Sequence, residues 1–396
     1  MRICFVSNLY PPFIVGGAEV SVKRIAEELT KQGHIISIIT TSPNRKNYSE
    51  IIHNVTVYRI NPMNIFPYFA MSKQAKSIKP LYFFYDLFNP YPYLIIKKIL
   101  KKEKVDIVHI NNFRGLSLPV FSAVKSLNIP LVFTAHDYSL TCIKSTFLNS
   151  SNEICMNPSK LCKVYVNIQR FLVNNKPEIV LAPSQFVLDK IQETGFFKNI
   201  RTLKFPLGIE LCEKRTIKDY NKIDILFVGS LSWHKGIHIL INAFSKLEYE
   251  NISLHIIGKG KNEDEIRNLA YSDNRIIVHG FVSDNELTKL YQKANITVVP
   301  SIWYDNSPMV IYESLMNGSP VIGSRIGGIP ELVEEGYNGY LFEPGNEEEL
   351  RKIIESLIPD TVRLMRLVDG AYESAKKYNI NGHIQNLEKL YRDIQR

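Results

Sequence analysis

Hydrophobic positions in the first half of the chain alternate between short apolar runs and helically spaced stretches. Residues 3–7 and 35–40 predict two strands, and residues 17–32 between them predict a helix that ends before Gly33. A strand, a helix and a strand in this order are typical of a βαβ unit. Further apolar runs predict additional strands at residues 105–110, 131–134, 179–182 and 200–203. The first half is therefore predicted to be an α/β domain with a doubly wound parallel sheet.

The same alternation starts again near residue 206. Apolar runs predict strands at residues 223–228, 252–257, 275–278, 296–299 and 321–323. Helical spacing predicts helices at residues 236–247, 263–270, 284–292 and 308–317, and the tail from residue 346 is predicted to be helical. We therefore predict two α/β domains, at residues 1–205 and 206–380, and a last segment at 381–396. Doubly wound domains bind their ligands at the carboxyl ends of the strands.

Residues 61–104 follow neither pattern. The segment is crowded with aromatic side chains and then with lysines: Phe66, Tyr68, Phe69, Tyr82, Phe83, Phe84, Tyr85, Phe88, Tyr91 and Tyr93, followed by Lys97, Lys98, Lys101, Lys102 and Lys104. Aromatic residues beside lysines are typical of a surface that contacts a membrane interface. Packing of the aromatic residues in the core, with a solvated lysine face, is the alternative, and the sequence leaves both open.

The charge of the chain is unevenly distributed. Residues 1–205 carry 26 Lys and Arg against 12 Asp and Glu, a balance of +14, and residues 206–396 carry 22 against 27, a balance of −5. A basic half suggests an anionic partner or an anionic membrane surface, although a general bias toward Lys, Ile and Asn would also produce it. The lysines belong to no recognisable nucleic-acid-binding module, so nucleic acid is not an expected partner.

Targeting signals are absent from the sequence pattern. No apolar stretch reaches the roughly 20 residues that span a bilayer, and the N-terminus is predicted to be a strand instead of a signal peptide. We therefore expect a cytoplasmic protein, peripheral on the inner face of the membrane if its basic half contacts lipid. Five cysteines in 396 residues are too few for a disulfide scaffold.

The segment 300–313 carries the strongest candidate chemistry. It runs from a predicted strand through a loop with Asp305 into a predicted helix that contains Glu313 and ends at Gly318. Pro308 suits the first helical turn, and the N–H groups of Met309 and Val310 would then face an anion. Two acids beside an anion site suit a ligand with both hydroxyls and phosphates. The segment therefore predicts a nucleotide-sugar site.

Three other loops are candidate site elements. Gly16 and Gly17 precede the first helix, where backbone N–H groups can approach a phosphate. His136 follows the predicted strand 131–134 at its carboxyl end, and Lys235 opens a predicted helix whose dipole adds to its charge. The first loop lacks the G-x-G-x-x-G pattern and the second strand ends without an acidic residue, which argues against a dinucleotide cofactor.

These strings resemble the motifs of the retaining GT-B glycosyltransferases of family 4. The resemblance includes Gly16-Gly17-Ala18-Glu19, the string Thr134-Ala135-His136-Asp137-Tyr138, the turn Gly327-Gly328-Ile329-Pro330-Glu331 and an E-x7-E pattern in which Asp305 replaces the first Glu. It implies two facing Rossmann-like domains with a cleft between them and a C-terminal helix that returns to the first domain.

The resemblance also implies roles for single residues. The catalytic set would be His136, Lys235, Asp305 and Glu313, with His136 on a donor hydroxyl, Lys235 on the leaving diphosphate and Glu313 on the ribose. Many relatives carry Arg where Ser230 stands, so Ser230 itself or Arg325 would have to compensate. The donor-binding residues would be Gly16, Gly17, Ser230, Gly258, Phe281, Pro308, Met309, Val310 and Arg325. No metal or other cofactor is implied.

The expected activity is retaining transfer of a sugar from a nucleotide-diphosphate sugar to a hydroxyl of a glycan or lipid-linked acceptor, in cell-envelope polysaccharide synthesis. A nucleotide-sugar-binding protein without transferase activity is the alternative, which Asp305 and Ser230 favour because they depart from the family pattern. A nucleotide-sugar epimerase is a further option, against which the strings at His136 and Pro330 argue.

Cys142, Cys155 and Cys162 lie in one predicted loop. Three thiolates could bind zinc with a fourth ligand. The family resemblance includes some relatives with a fourth cysteine in this region, but in this chain Tyr165 occupies the position where the fourth cysteine is expected. Free thiols are therefore the favoured interpretation, and zinc binding is the alternative.

Overall fold

The computed structural model describes residues 1–14, 16–75, 77–211 and 214–395, apart from the side chain of Ser72. The chain forms two compact units. The first contains Met1–Thr146, Met156–Gly208 and Asn381–Arg396, and the second contains Phe147–Cys155 and Ile209–Ile380. The second unit thus begins at Ile209 and not at the predicted residue 206, and it also takes in a short segment from the first half of the chain.

The first unit is built on an eight-stranded sheet with the order β3-β4-β2-β1-β5-β6-β7-β8. Its elements are β1 (Arg2–Val6), α1 (Gly17–Lys31), β2 (Ile35–Thr41), β3 (Tyr48–Ile52), β4 (Val55–Ile60), a 3-10 helix (Tyr68–Lys73), α2 (Lys79–Phe88), α3 (Pro90–Glu103), β5 (Ile107–Ile110), α4 (Val120–Lys125), β6 (Leu131–Thr134), α5 (Lys160–Val173), β7 (Ile179–Ala182), α6 (Gln185–Glu193) and β8 (Arg201–Lys204). Strands β5, β6 and β7 are buried throughout. Burial on both faces explains why these strands are continuous apolar runs.

The pair β3–β4 is a hairpin that the sequence analysis did not predict. It is antiparallel, with Ile52 opposite Val55, while β4 pairs in parallel with β2. His53 and Asn54 connect the strands with positive φ at both positions, 49° and 64°, as a two-residue type I′ turn requires. The turn was missed because His53 replaces the usual Asn, Asp or Gly at its first position.

The second unit is built on a six-stranded parallel sheet with the order β11-β10-β9-β12-β13-β14. Its elements are β9 (Ile223–Val228), a 3-10 helix (Trp233–Lys235), α7 (Ile237–Ser245), β10 (Ile252–Ile257), α8 (Glu263–Ala270), β11 (Ile276–Gly280), α9 (Asp284–Lys293), β12 (Ile296–Val299), α10 (Met309–Met316), β13 (Val321–Ser324), a 3-10 helix (Ile329–Glu331), β14 (Gly339–Phe342), α11 (Glu347–Leu357) and α12 (Thr361–Lys376). Strand β14 was not predicted. The core packs β9, β10 and β12 against α7, α11 and α12.

The segment Phe147–Cys155 belongs to the second unit through contacts of its own. Leu148 and Ile154 form an antiparallel bridge that folds the segment back on itself. The ring of Phe147 lies 6.2 Å from that of Tyr304, edge to face, and Lys261 Nζ donates to Asn152 Oδ1 at 3.3 Å. Its partners are about 110 to 160 residues away in the chain, so no local pattern could predict this assignment.

The last helix, α13 (Ile380–Gln395), returns the chain to the first unit. Ile384, Leu387 and Tyr391 are buried. The Tyr391 hydroxyl bonds His109 Nδ1 at 2.7 Å, and Glu388 bonds His34 Nε2 at 2.5 Å. This is the return that the family resemblance implied. In the ranges that the structure describes, no helix combines the length and apolarity needed to cross a bilayer.

Candidate active site

The order of strands in the second unit defines where a ligand can bind. Strands β9, β10 and β11 follow one another in one direction across the sheet, and the chain then crosses to the other side of β9 with β12. Ligands of doubly wound sheets bind at the carboxyl edge beside such a reversal. The loops that follow β9 and β12 are therefore the candidate site, and they contain Lys235 and Asp305.

The two loops are locked together by backbone contacts. Gly236 has a φ of +70°, and a Cβ at this position would lie 1.7 Å from the carbonyl oxygen of Pro300. The N–H of Ile302 donates to the carbonyl oxygen of His234 at 3.0 Å. Only glycine allows this approach. Gly236 also precedes α7, so Lys235 ends the 3-10 turn Trp233–Lys235 and does not open the helix as predicted.

Lys235 and Asp305 form an ion pair at the meeting point of the loops. The distance between Lys235 Nζ and Asp305 Oδ2 is 2.6 Å, and Ser301 Oγ donates to the same carboxylate oxygen at 3.0 Å. The ammonium lies 5.1 Å from the ring centroid of Trp303, within cation–π range. The sequence analysis predicted Lys235 and Asp305 as site residues without predicting a contact between them. The structure shows that Asp305 holds Lys235 in place.

His234 adds no positive charge next to Lys235, because its imidazole is neutral. Burial, and then the charge of Lys235, lower the pKa of His234 to about 4. The imidazole is therefore neutral at pH 7, and it packs edge to face on Trp303 at 5.2 Å. Sequence reasoning missed His234 and Trp303, although both stand next to predicted site residues in the chain.

Helix α10 begins at Met309, four residues after Asp305. Pro308 is its N-cap, with φ −63° and ψ 120°, and Met309 is its first residue, so Pro308 precedes the first turn in which it was predicted. The first N–H groups of a helix point out along its axis and favour an anion. Met309 and Val310 occupy these positions.

Glu313 lies in the second turn of α10 and is held by a buried tyrosine. The Tyr291 hydroxyl donates to Glu313 Oε2 at 3.1 Å. Burial, and then Glu313 itself, raise the pKa of Tyr291 well above its ordinary value, so the phenol keeps its proton and remains a donor. Tyr291 packs with Leu226, Ile257 and Val310. No motif pointed to Tyr291.

Glycines at the carboxyl ends of β9, β10 and β11 allow the backbones of the following turns to approach one another closely. Gly258 has a φ of +137°, and a Cβ there would lie 1.8 Å from the carbonyl oxygen of Gly229. The Gly258 N–H donates to the Gly280 carbonyl at 2.8 Å. Phe281 follows with its side chain 75% exposed. Ser230 is exposed, with its Oγ 3.0 Å from Ser232 Oγ.

In the first unit, His136 meets Asn111 at the carboxyl edge of the sheet. Asn111 directly follows β5 and His136 lies two residues after β6, and His136 Nε2 is 2.9 Å from Asn111 Oδ1. Burial, and then His383, lower the pKa of His136 to about 4. Asp137 does not orient this ring, because its carboxylate accepts from the Ser139 N–H at 2.8 Å and from Asn112 Nδ2 at 3.5 Å. It orders the loop.

The diglycine loop of the first unit leads directly into α1. The N–H of Gly16 donates to Glu19 Oε2 at 2.7 Å, and Gly17 is the first residue of the helix. A ligand of the Gly16 N–H would therefore compete with Glu19. Val15 lies outside the described residues.

Family models match both halves of the chain. "Glycosyltransferase Family 4" matches residues 15–211, and "Glycosyl transferases group 1" matches residues 210–379. The two matches together span nearly the whole sequence. The chain belongs to the family 4 glycosyltransferases. The resemblance inferred from the motifs is thereby confirmed, and so are the GT-B fold and the expectation of a transferase enzyme.

Individual relatives agree with the family. The chain is 28% identical to an uncharacterized glycosyltransferase, MJ1607, of Methanocaldococcus jannaschii, over 98% of both chains, and 26% identical to a 42.6 kDa protein in the cps region of Klebsiella pneumoniae, over 87% of this chain and 90% of that protein. Among solved structures it is similar to sucrose-phosphate synthase of Thermosynechococcus elongatus, with a TM-score of 0.77, 19% identity and 99% and 98% of the chains covered. HepE of Anabaena in complex with UDP gives a TM-score of 0.73, 19% identity and coverage of 99% and 100%.

Arg325 of the glycosyltransferase has two acidic partners. Its guanidinium bonds Glu335 at 2.5 Å and Glu343 at 3.2 Å, and it is about half exposed. Binding of a donor phosphate by Arg325 would require these ion pairs to break. Its suggested compensation for Ser230 stays a prediction.

The cysteines within the described part of the chain are not grouped with other metal ligands. Cys142, Cys155 and Cys162 are free thiols, as is buried Cys4. Among the residues described, no three His, Cys, Asp or Glu side chains are grouped as metal ligands. Cys212 lies outside the described residues.

Proposed function

We propose that this glycosyltransferase transfers a sugar from a nucleotide-diphosphate sugar to a hydroxyl of a glycan or lipid-linked acceptor, with retention of anomeric configuration. The observation that carries the proposal is the Lys235–Asp305 pair, whose Asp305 lies four residues before Met309, the first residue of α10. A held cation near the positive N-terminal end of a helix suits a diphosphate. The carboxylate of Glu313, one turn farther along the helix, suits a ribose.

The departing diphosphate is the group that most needs stabilisation. Negative charge develops on its bridging oxygen as the bond to the anomeric carbon breaks. The ammonium of Lys235 and the N-terminus of α10 offset this charge in fixed positions, so little reorganisation accompanies the reaction. Asp305 and Ser301 position the ammonium. In this proposal Lys235 and the N-terminus of α10 neutralise the charge of the leaving diphosphate, and no cofactor is assigned to that role.

The ribose of the donor would bind to Glu313. An ionised carboxylate has about four acceptor sites, so ribose hydroxyls can bind to it in addition to the Tyr291 hydroxyl. The nucleobase would lie at the turn with Gly258 and Phe281, where backbone groups surround the strand ends. Among the structurally similar proteins, HepE of Anabaena is in complex with UDP and a starch synthase of Arabidopsis thaliana is bound to ADP. The fold therefore accepts more than one base.

In a single-step transfer with retention, the acceptor oxygen attacks from the side that the phosphate leaves. The bond from the anomeric carbon to the phosphate oxygen breaks, the bond to the acceptor oxygen forms, and the acceptor proton passes to the departing phosphate. His136 is neutral at pH 7 because its pKa is lowered to about 4, so it can bind a donor hydroxyl as an uncharged hydrogen-bonding group. The Klebsiella relative in the cps region supports a polysaccharide acceptor.

A thermal-shift screen with nucleotide sugars tests the donor assignment, because a ligand of the native state raises the melting temperature by mass action. We expect one nucleotide sugar to give the largest shift. Its sugar should then be transferred to a hydroxyl acceptor with the donor's anomeric configuration, as followed by NMR. No shift with any nucleotide sugar, or an inverted product, would contradict the proposal.

A binding protein without transferase activity is the second candidate. One observation favours it, since Asp305 already neutralises Lys235 and thereby weakens its attraction for a diphosphate. Titration calorimetry distinguishes the two candidates. Tight donor binding without transfer to any glycan, lipid or water acceptor would support the second candidate.

A further inference from the structure

Helix α2 exposes a wholly apolar stripe. Leu81, Phe84, Tyr85 and Phe88 are spaced i, i+3, i+4 and i+7, which places them on one face. Leu81 and Phe88 are 62% and 56% exposed. The opposite face of the same helix is buried through Tyr82, Asp86 and Leu87, so the exposed stripe is an additional apolar surface and not the side that packs on the core. A helix of this kind normally has both faces covered.

Helix α5 exposes a second apolar stripe. Leu161, Val164, Ile168 and Phe171 follow at intervals of three and four residues along one face. Phe171 is 87% exposed, and Leu161 and Val164 are each about half exposed. The buried side of α5 contains Tyr165, Gln169 and Val173. An almost fully exposed phenylalanine within a stripe marks an interaction surface more clearly than scattered apolar residues do.

The two helices are neighbours in the first unit. Tyr165 of α5 packs edge to face on Phe84 of α2 at 5.5 Å and on Phe83 at 6.5 Å. The guanidinium of buried Arg114 lies 4.8 Å from the Phe83 ring and 5.6 Å from the Tyr165 ring. These contacts hold the two helices next to each other, with Phe84 of the α2 stripe against Tyr165 of α5. We call this surface the α2–α5 face, formed by Leu81, Phe84, Tyr85, Phe88, Leu161, Val164, Ile168 and Phe171.

The segments that carry the α2–α5 face are strongly basic. Residues 61–104 contain eight Lys against two acids, with five of these lysines on or directly after α3, and one of the acids, Asp86, is buried; residues 156–176 contain four Lys and Arg and no acid. Lys160 and Lys163 are exposed on α5 itself. A symmetric contact between two copies would bring these cations against each other. An anionic partner with an apolar interior matches both properties of the surface.

We propose that the α2–α5 face docks on an anionic lipid bilayer, with its apolar stripes in the interface and its lysines at the headgroups. Peripheral binding combines buried apolar area with attraction between lysines and acidic lipids. The two alternatives for the aromatic segment both hold in part, because Tyr82 stacks on Phe66 in the core at 4.5 Å while the stripe faces outward. The proposal is independent of the donor site.

Sedimentation with vesicles tests the proposal. Wild-type protein should bind vesicles of phosphatidylcholine with phosphatidylglycerol, and the triple variant Leu81→Ser, Phe88→Ser, Phe171→Ser should lose at least about tenfold in partitioning because three large apolar groups are removed from the interface. The matched control is Ile217→Ser, Tyr271→Ser, Val362→Ser, which removes exposed apolar side chains of the second unit. It should bind vesicles like the wild type.

Two further measurements make the outcome decisive. The thermal shift produced by the donor should be the same in both triple variants, which separates a failure of docking from a failure of the donor site. Equal binding of wild type and face variant to the vesicles would overturn the proposal, as would equal binding of the wild type to pure phosphatidylcholine. A dimer in lipid-free solution that the face variant abolishes would assign the face to a second copy and would also overturn it.

Discussion

Lys235 and Glu313 each have a partner that fixes the side chain before any ligand binds. Asp305 holds the ammonium of Lys235, and the Tyr291 hydroxyl holds one oxygen of Glu313. Side chains held in this way lose little freedom when a substrate arrives, which favours both binding and catalysis. The partners are as much a part of the site as the residues that would touch the donor.

Lys235→Met should lower turnover at least about tenfold, because it removes the charge that offsets the leaving diphosphate. The methionine keeps an unbranched side chain against Trp303, but the largely buried carboxylate of Asp305 loses its cation, so the melting temperature should fall somewhat. Glu313→Gln should also lower turnover at least about tenfold, since a neutral amide binds ribose hydroxyls more weakly than a carboxylate does. Steady-state transfer rates with the preferred donor measure both effects.

The glutamine variant is chosen because its amide oxygen can still accept from Tyr291. Glu313→Ala would instead leave the buried phenol without this acceptor, at a cost of about 1–3 kcal/mol. Melting temperatures therefore separate a catalytic loss from a folding defect. Transfer at the wild-type rate in both Lys235→Met and Glu313→Gln would refute the assignment of the donor site.

His109 makes the stability of the first unit depend on pH. Its pKa is lowered to about 3 by burial, with His136 as a smaller cause, while the unfolded chain titrates near 6.5. Between these values the unfolded state binds more protons, so the free energy of unfolding falls as the pH is lowered from about 6.5 toward 3.

The expected loss from His109 is about 1.4 kcal/mol per pH unit. Between pH 6.5 and 5 the wild type should therefore lose about 2 kcal/mol more stability than His109→Gln, as measured by urea unfolding. Parallel pH dependences in the two proteins would show that His109 does not have the lowered pKa.

At the scale of elements, the loop after β9 depends on the one glycine that allows its contact with Pro300. Gly236→Ala would place a Cβ 1.7 Å from the Pro300 carbonyl oxygen, so the loop and Lys235 must shift. We expect at least about a tenfold loss of turnover, because displacement of a charge by about 1 Å is sufficient for such losses. Transfer assays and melting temperature measure the two consequences.

Gly345→Ala is the matched control for this substitution. Gly345 also has a positive φ, +84°, but a Cβ there meets nothing within 4 Å. It should lower stability by about 1 kcal/mol for the left-handed backbone alone and leave turnover unchanged. If both variants retained wild-type turnover, the contact with Pro300 would not be needed to position Lys235.

At the scale of the whole molecule, the C-terminal helix completes the first unit. Tyr391 is fully buried, and its hydroxyl bonds His109, which lies 282 residues earlier in the chain. Tyr391→Phe would leave one ring nitrogen of His109 unpaired. We expect the free energy of unfolding to fall by about 1–3 kcal/mol, as measured by urea unfolding. Tyr271→Phe, at a 92% exposed position, should leave the stability unchanged.

The regular elements of both units were largely predictable. Buried parallel strands such as β7 and β12 are short apolar runs, and helices such as α8 have a clear helical spacing, so local patterns were sufficient. Strand β3 was not predicted, because this edge strand is only partly buried and its polar positions interrupt the apolar pattern. Strands β4 and β14 were also not predicted, although most of their residues are buried. The segment Phe147–Cys155 was assigned to the wrong unit, since only long-range contacts place it.

The candidate site was predictable as a set of residues but not as a set of contacts. Motif resemblance pointed to Lys235, Asp305 and Glu313, yet it did not predict that the first two form a pair. Tyr291 and Trp303 were missed because a tyrosine in a helix and a tryptophan in a loop have no pattern of their own. Their importance comes from what they touch.

The sequence by itself determined the α/β class, the duplicated architecture, the family and the loops that carry the chemistry, because strand burial, helical spacing and short motifs are local properties. The tertiary structure decided which side chains meet: Asp305 with Lys235, Tyr291 with Glu313, and the last helix with His109. It also decided that α2 and α5 are neighbours, joined by the contact of Tyr165 with Phe84. Partners 22 to 282 residues apart are selected by the packing of whole elements, which no local pattern encodes.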